Sequence, residues 1–154
     1  MGKMEKIDPD SVIKDFFKYV DQYRNASRCL SSVENTLFPN QQVRGLHIEL
    51  ALKTYICASG EVSWGHDLMA LAKEAKEHGL VLNENDHKNV ISNTNDIYFR
   101  GGAWDSDYIC RYPKPNRGTM VTITPTHQMV DDMVKRIVVQ AKEKIALRKE
   151  QVNE

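Results

Sequence analysis

The first pair of residues in this chain whose spacing could support chemistry is a glutamate followed four residues later by a lysine. Glu49 and Lys53 lie on one face of a predicted helix, with the acid before the base, the order that favours an ion pair. One hypothesis is that the two side chains line a cleft and bind a ligand. The alternative is a salt bridge that satisfies two charges where helices part at the surface, because unpaired burial of either charge would be costly.

A second group, Trp64, His66 and Asp67, stands where another helix is predicted to begin. A histidine at this place suits proton transfer or stacking on a base. The alternative is that the histidine–aspartate pair caps the helix and packs locally, since aspartate is a favoured N-cap residue. All three residues are candidate ligand-binding residues.

A third group lies later in the chain, where Arg111 and Tyr112 are followed by Arg117. Arginine beside tyrosine on an extended loop suits phosphate binding and base stacking. The alternative is an arginine that reaches back to a carboxylate such as Glu49 and locks the loop to the rest of the domain. Arg111 and Tyr112 complete the set of candidate ligand-binding residues.

Established catalytic and metal-binding motifs are absent from the sequence. The histidines are scattered, with no HExxH and no spacing to a cysteine pair: His47, His66, His78, His87 and His127. There is no glycine-rich phosphate loop and no GxSxG. Catalysis would require residues that only the fold brings together, so the sequence predicts no catalytic residue, no metal and no cofactor.

The cysteines are odd in number and form no CxxC: Cys29, Cys57 and Cys110. Each lies beside apolar residues, so we expect reduced, buried thiols. Cys57 is not expected to act as a nucleophile, because nothing nearby in the sequence lowers its pKa.

Length and charge narrow the class of protein. The 154 residues suit a single domain, 1–154, with a core from about residue 9 to residue 149. Lysine plus arginine and aspartate plus glutamate each number 21, which excludes the strongly basic balance of a dedicated nucleic-acid binder. The N-terminus has no signal-peptide apolar region, and no stretch approaches the roughly 18 apolar residues of a membrane span. We therefore expect a cytoplasmic protein without a membrane partner.

The chain is organised around a helix predicted from about Gln41 to Ser59. This segment is apolar on almost every face, which is typical of a central, buried helix, and one narrow polar stripe with Glu49 and Lys53 interrupts it. Before it, Asp8 and Pro9 predict the start of an amphipathic helix that runs to about Ser32.

Three further helices are predicted after the central one. A short helix ends near Gly79, and the next is capped by Asn83 or Asn85. The inward residues of that next helix are Val90, Ile91, Thr94, Ile97 and Tyr98. Residues 103–124 predict a small hairpin or extended loop, and the last helix opens at Thr124-Pro125 and frays after about Lys149. These elements indicate an all-α, four- to five-helix up-and-down bundle with a small extended or hairpin insert before the last helix.

Four segments of the chain resemble the HEPN superfamily of small α-helical domains. They are YRNASRCL, LHIELALKTYICASG, GHDLMALAKEA and CRYP, and the resemblance runs from about Phe16 to Val139. It implies a four- or five-helix bundle that commonly dimerises. It also implies work on RNA or nucleotides, often in toxin–antitoxin, antiphage defence or stress systems.

One departure from the family pattern concerns catalysis. HEPN ribonucleases resemble one another in an arginine followed, after four to six residues, by a histidine. In this chain His47 follows Arg44 too soon and His127 follows Arg117 too late. The resemblance therefore assigns no catalytic residues here. It does imply that certain matching positions shape the family's groove: Lys53, His66, Asp67, Arg111 and Tyr112.

We therefore expect a non-catalytic HEPN-like domain that binds a nucleotide, an RNA or a nearby-encoded partner protein, as a homodimer. One alternative is a metal-independent HEPN-type endoribonuclease with a rearranged site, for instance His66 or His47 with Arg111. Another is a purely structural interaction or dimerisation module that docks a partner through an exposed stripe on the last helix.

Overall fold

The computed structural model describes residues 6–99 and 124–154. The first helix, α1, spans Pro9–Leu30. Asp8 is its N-cap, and Asp8 Oδ1 accepts a hydrogen bond of 3.1 Å from the Asp10 backbone N–H. The proline stands at the first helical position, where a missing N–H removes no intrahelical bond. The predicted start of this helix is confirmed.

The central helix, α2, spans Leu37–Ala58 and contacts α1 as well as the helices that follow it. Thirteen of its 22 residues are buried, which confirms its central place. It begins before the predicted Gln41, with Pro39 inside its first turn. Proline is tolerated there because the first backbone N–H groups of a helix have no intrahelical acceptor.

The third helix, α3, spans Leu68–Glu77 and ends as predicted, with Gly79 at a φ of +100° just beyond it. The next helical stretch is a π-helix over Asp86–Ser92 that continues directly into α4, Asn93–Tyr98. The widened π turns were not predicted. Of the two predicted caps, Asn83 is the one whose side chain hydrogen-bonds to the backbone at the start of this stretch. Its Oδ1 accepts from the Asp86 N–H at 2.7 Å, and Asp86 Oδ2 accepts from the Asn83 N–H at 3.3 Å.

The last helix, α5, spans His127–Val152, with Thr126 as its N-cap. The helix continues to Val152, beyond Lys149, the residue after which fraying was predicted. Lys149 lies in its last turn, where a positive charge interacts favourably with the helix dipole.

The described residues form the all-α bundle that the sequence predicts, with five α-helices around one apolar core. The inward residues predicted for the fourth helix are all buried: Val90, Ile91, Thr94, Ile97 and Tyr98. The predicted hairpin or extended insert falls on residues 103–124, and all but the last of these lie outside the described residues. Among the described helices, none is long and apolar enough to cross a membrane.

The prediction of buried thiols is correct for Cys57 and wrong for Cys29, which is exposed. Successive residues of an α-helix point about 100° apart, so apolar neighbours in sequence do not bury a side chain on the outer face. Burial raises the pKa of the Cys57 thiol to about 11, and its Sγ donates to the Pro9 carbonyl oxygen at 3.3 Å. A thiol held in its neutral form is a poor nucleophile, in agreement with the expectation for Cys57. Cys110 lies outside the described residues.

Candidate functional site

The carboxylate of Glu49 is buried, with 4 % of the residue exposed, and three segments of the chain converge on it. Lys53 Nζ donates to Oε1 at 2.8 Å, and Tyr98 Oη donates to Oε2 at 2.5 Å. His66 Nδ1 lies 3.1 Å from both carboxylate oxygens. A buried charge that accepts several charge-assisted hydrogen bonds is stable where an unpaired one is not. We call Glu49, Lys53, His66 and Tyr98 the Glu49 cluster.

The predicted ion pair between Glu49 and Lys53 is therefore present, but it is not at the surface. The Lys53 side chain is 11 % exposed and that of Glu49 is 5 % exposed. Their ionic contact lies beneath the loop that joins α2 to α3, because His66 of that loop closes over the carboxylate. The two charges satisfy each other, as the salt-bridge alternative predicts, and Lys53 lines a pocket that Glu49 does not reach.

Tyr98 reaches Glu49 because α2 has a glycine at the crossing point. A Cβ placed on Gly45 would lie 2.1 Å from Tyr98 Cδ2, far inside van der Waals contact. The ring of Tyr98 therefore lies on the bare backbone of α2, about one helical turn before Glu49. Sequence analysis placed Tyr98 in the core and did not connect it with this site.

Asp67 has the capping role that was one of its two predicted roles. Asp67 Oδ1 accepts from the backbone N–H groups of Met69 at 3.0 Å and Ala70 at 3.4 Å. Asn95 of α4 joins this cap, since its Nδ2 donates to Asp67 Oδ1 and its Oδ1 accepts from the Leu68 N–H. Asp67 fixes the start of α3, whereas His66 turns to Glu49 instead.

A pocket of about 330 Å³ opens beside the Glu49 cluster. Its walls come from α1, α2 and the loop that follows α2, and they include Phe16, Tyr19 and Trp64. Lys53 and Ser63 are among its polar lining residues. Trp64 is 63 % exposed and also borders a second hollow, of about 240 Å³, that His66 and Asp67 line. We call the cavity of about 330 Å³ the Trp64 pocket.

Of the seven predicted ligand-binding residues, five lie together around this pocket and the adjoining hollow: Glu49, Lys53, Trp64, His66 and Asp67. Arg111 and Tyr112 lie outside the described residues, as does Arg117. Tyr98, Gly45 and Asn95 are the participants that sequence analysis missed. A glycine in the middle of an apolar helix was the available signal, since glycine often marks a close approach of another group to the backbone.

Among the described residues, one group offers ligand atoms close enough together to hold a metal ion. Atoms of Glu61, Glu74 and His78 lie within 4.8 Å of one another. His78 Nε2 is 3.5 Å from Glu61 Oε2, and Ser63 Oγ donates to Glu74 Oε2 at 2.6 Å. Glu61 is largely exposed, so these contacts tie the loop after α2 to the end of α3 at the surface.

Comparison of the chain with protein-family models, with curated proteins and with solved structures found no match.

Proposed function

We propose that this chain is a HEPN-like helical domain that binds a nucleotide or a single-stranded RNA without cleaving it. The base of the ligand enters the Trp64 pocket and stacks on Trp64. The proposal rests on one observation above all: a tryptophan that is 63 % exposed forms the wall of an apolar pocket beside a lysine.

The size and walls of the pocket suit a nucleobase. A volume of about 330 Å³ lies at the small end of ligand pockets, where a single ring system fits. Tyr19 and Phe16 provide further aromatic surface on the side of α1. Stacking of a base on an aromatic side chain contributes on the order of 1–3 kcal/mol and accepts any base, because every base has a π face.

Lys53 supplies the polar contact in this proposal. Its ammonium group has three N–H donors, and one donates to Glu49 Oε1. Glu49 holds the lysine in place against the pocket, so the ordering of its side chain is achieved before a ligand arrives. A carbonyl or phosphate oxygen of the ligand accepts a further hydrogen bond from the same ammonium group.

Fluorescence of Trp64 gives a direct test. The chain has two tryptophans, so Trp104→Phe leaves Trp64 as the sole reporter. We expect nucleoside monophosphates and a short single-stranded RNA to quench this fluorescence saturably. Trp64→Ala should reduce affinity measured by calorimetry about tenfold, and Trp64→Phe should largely preserve it, because phenylalanine also stacks.

Leu147→Ala serves as the matched control, since it removes another exposed apolar side chain, one that does not line the Trp64 pocket. Lys53→Gln should weaken binding while the far-ultraviolet circular dichroism spectrum stays helical. Binding that is equal in Trp64→Ala and in the parent protein would remove the pocket from the proposal.

We also propose that the domain acts as a homodimer, which the family resemblance supports. Native mass spectrometry of the protein as purified from cells measures this directly and detects any bound nucleotide mass. A monomer without ligand would count against both the dimer and a resident nucleotide, and pull-down of a protein partner would then be the next experiment.

One observation favours a second candidate, a metal-independent ribonuclease. The His66 side chain is 44 % exposed and Glu49 orients its ring, the arrangement that a general base requires. His47 is fully buried, so His66 is the histidine that this candidate uses. Cleavage of structured RNA in EDTA that is lost in His66→Ala would support this candidate, and no cleavage at high protein concentration would rule it out.

A further inference from the structure

A histidine and two glutamates meet where the loop after α2 lies against the C-terminal end of α3. Glu74 and His78, the C-cap of α3, are four residues apart, so their side chains project from the same face of the helix. Glu61 comes from the loop. One ligand atom of each of the three residues lies within 4.8 Å of the ligand atoms of the other two. We call Glu61, Glu74 and His78 the His78 cluster.

Hydrogen bonds to the main chain hold two of these three residues in place. The Glu61 N–H donates to the Ile56 carbonyl oxygen at 3.3 Å, which is the outer bond of the Schellman motif that ends α2. The His78 carbonyl oxygen accepts from Tyr55 Oη at 3.2 Å and from Lys144 Nζ at 2.8 Å. Helices α2 and α5 thus fix the backbone of His78. Ligand residues that are already ordered lose less conformational freedom when an ion binds.

The spacing of the donor atoms fits a single zinc ion. Zinc binds imidazole nitrogen and carboxylate oxygen at about 2.0–2.2 Å, so two ligand atoms on one tetrahedral ion lie about 3.4 Å apart. His78 Nε2 lies 3.5 Å from Glu61 Oε2, which is close to that value. The terminal torsion of a glutamate has a broad range, so rotation of the Glu74 carboxylate brings the third donor closer. Ser63 Oγ donates to Glu74 Oε2 at 2.6 Å, the kind of outer hydrogen bond that ligating carboxylates receive.

The charge of the His78 cluster favours a cation. Glu61 and Glu74 offer carboxylate oxygens within 4.8 Å of each other, and like charges at this distance repel. Both residues lie near helix C-termini, where the dipole adds negative potential. Within the described residues, neither carboxylate forms an ion pair with a lysine or arginine. The bases that reach these helix ends, Lys144 and Arg148, donate to backbone carbonyl oxygens there.

The kinds of ligand atom in the cluster favour zinc. Calcium and magnesium ions prefer oxygen ligands, whereas this cluster includes an imidazole nitrogen. Copper(I) and iron–sulfur centres select thiolates, and none of the three residues is a cysteine. Zinc accepts imidazole and carboxylate ligands together, and a site with three protein ligands leaves a fourth position for water.

We propose that the His78 cluster binds one zinc ion, with His78 Nε2 and one carboxylate oxygen from each of Glu61 and Glu74 as its protein ligands. Water completes the coordination. The ion fastens the loop after α2 to the end of α3, and this loop carries Trp64. None of the three ligands lines the Trp64 pocket, and the proposal does not depend on the function proposed for that pocket.

Calorimetric titration of the full chain with zinc chloride, after metal removal with EDTA, tests the site. Free thiols also bind zinc and Cys29 is exposed, so the parent protein for these titrations carries Cys29→Ser and Cys110→Ser. We expect one zinc ion per chain. Glu61→Gln should weaken the zinc affinity at least about tenfold, and its exposed position leaves the fold intact. His78→Gln should weaken it at least as much, with circular dichroism as the check on folding.

Two variants serve as matched controls. Glu77→Gln removes an exposed acid from the last turn of α3, and His87→Gln removes a histidine outside the cluster. Both should keep the zinc affinity of the parent protein. Titration with Co²⁺ gives a second readout, because tetrahedral Co²⁺ absorbs visible light more strongly than the hydrated ion; the parent should show this absorption and Glu61→Gln should lose it. The absence of saturable zinc binding, or equal affinities in the parent, Glu61→Gln and His78→Gln, overturns the proposal.

Discussion

The ring of Tyr98 lies directly on the backbone of Gly45, in space that the Cβ of any other residue would fill. This contact brings the tyrosine hydroxyl to Glu49 and closes the Glu49 cluster on the side of α4. A single missing methyl group in α2 thus sets the distance between two helices and the hydrogen bonding of a buried acid.

The Gly45→Ala variant tests this contact, because the contact reverses the sign of the expected change in the free energy of unfolding. In an ordinary helix interior, replacing glycine by alanine stabilises the protein by about 0.5–1 kcal/mol. Here the new Cβ would overlap the Tyr98 ring, so we expect destabilisation of about 1–3 kcal/mol in urea unfolding. The double variant Gly45→Ala with Tyr98→Leu should lose less stability than the sum of the two single variants. A stabilising Gly45→Ala would contradict the close approach.

Tyr98→Phe removes one hydrogen-bond donor from a buried carboxylate and leaves the ring in place. The loss of this bond should lower the free energy of unfolding by about 1–3 kcal/mol. Tyr55→Phe is the matched control, since its hydroxyl donates to a carbonyl, that of His78, at 3.2 Å. Urea unfolding of the two variants should show a larger loss for Tyr98→Phe, and equal losses would mean that Glu49 does not depend on the tyrosine.

The stability of the fold should decrease between pH 6.5 and pH 4 because of His47. Burial lowers the pKa of His47 from 6.5 to about 4; Asp131 opposes this, while His127 and Arg24 add to it. The unfolded chain therefore binds a proton in a range where the folded chain does not, and acid favours unfolding. The stabilising effect is complete above pH 6.5 and is lost as the pH falls towards 4.

Urea unfolding at pH 7 and pH 4.5 measures this dependence. His47 should account for roughly 2–3 kcal/mol of the difference, since each pKa unit corresponds to about 1.4 kcal/mol. The His47→Gln variant should show a pH dependence that is smaller by that amount. An identical pH dependence in both proteins would mean that the pKa of His47 is the same in the folded and unfolded chain.

Arg136→Leu should loosen the π-helical segment without unfolding the bundle. Arg136 Nη1 and Nη2 each lie 2.6 Å from a carboxylate oxygen of Asp86, which is 1 % exposed. Removal of the arginine leaves that carboxylate with fewer donors, so we expect a loss of about 1–3 kcal/mol. Hydrogen exchange should accelerate in residues 86–92 and remain slow in α2. Arg136→Lys, which keeps the charge and loses the second contact, should have an intermediate effect.

The sequence predicted best what depends on local spacing. The i,i+4 spacing predicted the contact of Glu49 with Lys53, and the residue preferences of helix N-caps predicted the capping roles of Asp8 and Asp67. The apolar periodicity identified the buried face of the fourth helix but not its π turns, because the same inward residues suit an ordinary α-helix. The start of α2 was predicted at about Gln41, four residues too late, because Pro39 lies inside its first turn, a position that tolerates proline.

The features that were not predicted depend on contacts between residues far apart in the sequence. Tyr98 follows Glu49 by 49 residues, and Arg44 meets Pro125 across 81 residues. No local pattern encodes which helix faces which, so neither contact was predictable from spacing. His47 and His127 appeared in sequence as scattered histidines, and only the packing of α2 against α5 made them neighbours.

The position of Glu49 also bears on how the bundle folds. Its carboxylate receives donors from α2 itself, from the loop before α3 and from the end of α4, so its hydrogen bonding is complete only when all three are assembled. An intermediate in which α2 is packed and α4 is undocked would bury the acid with fewer donors, at a free-energy cost. We therefore expect such intermediates to be disfavoured and α4 to join the bundle in the same cooperative transition as the central helix.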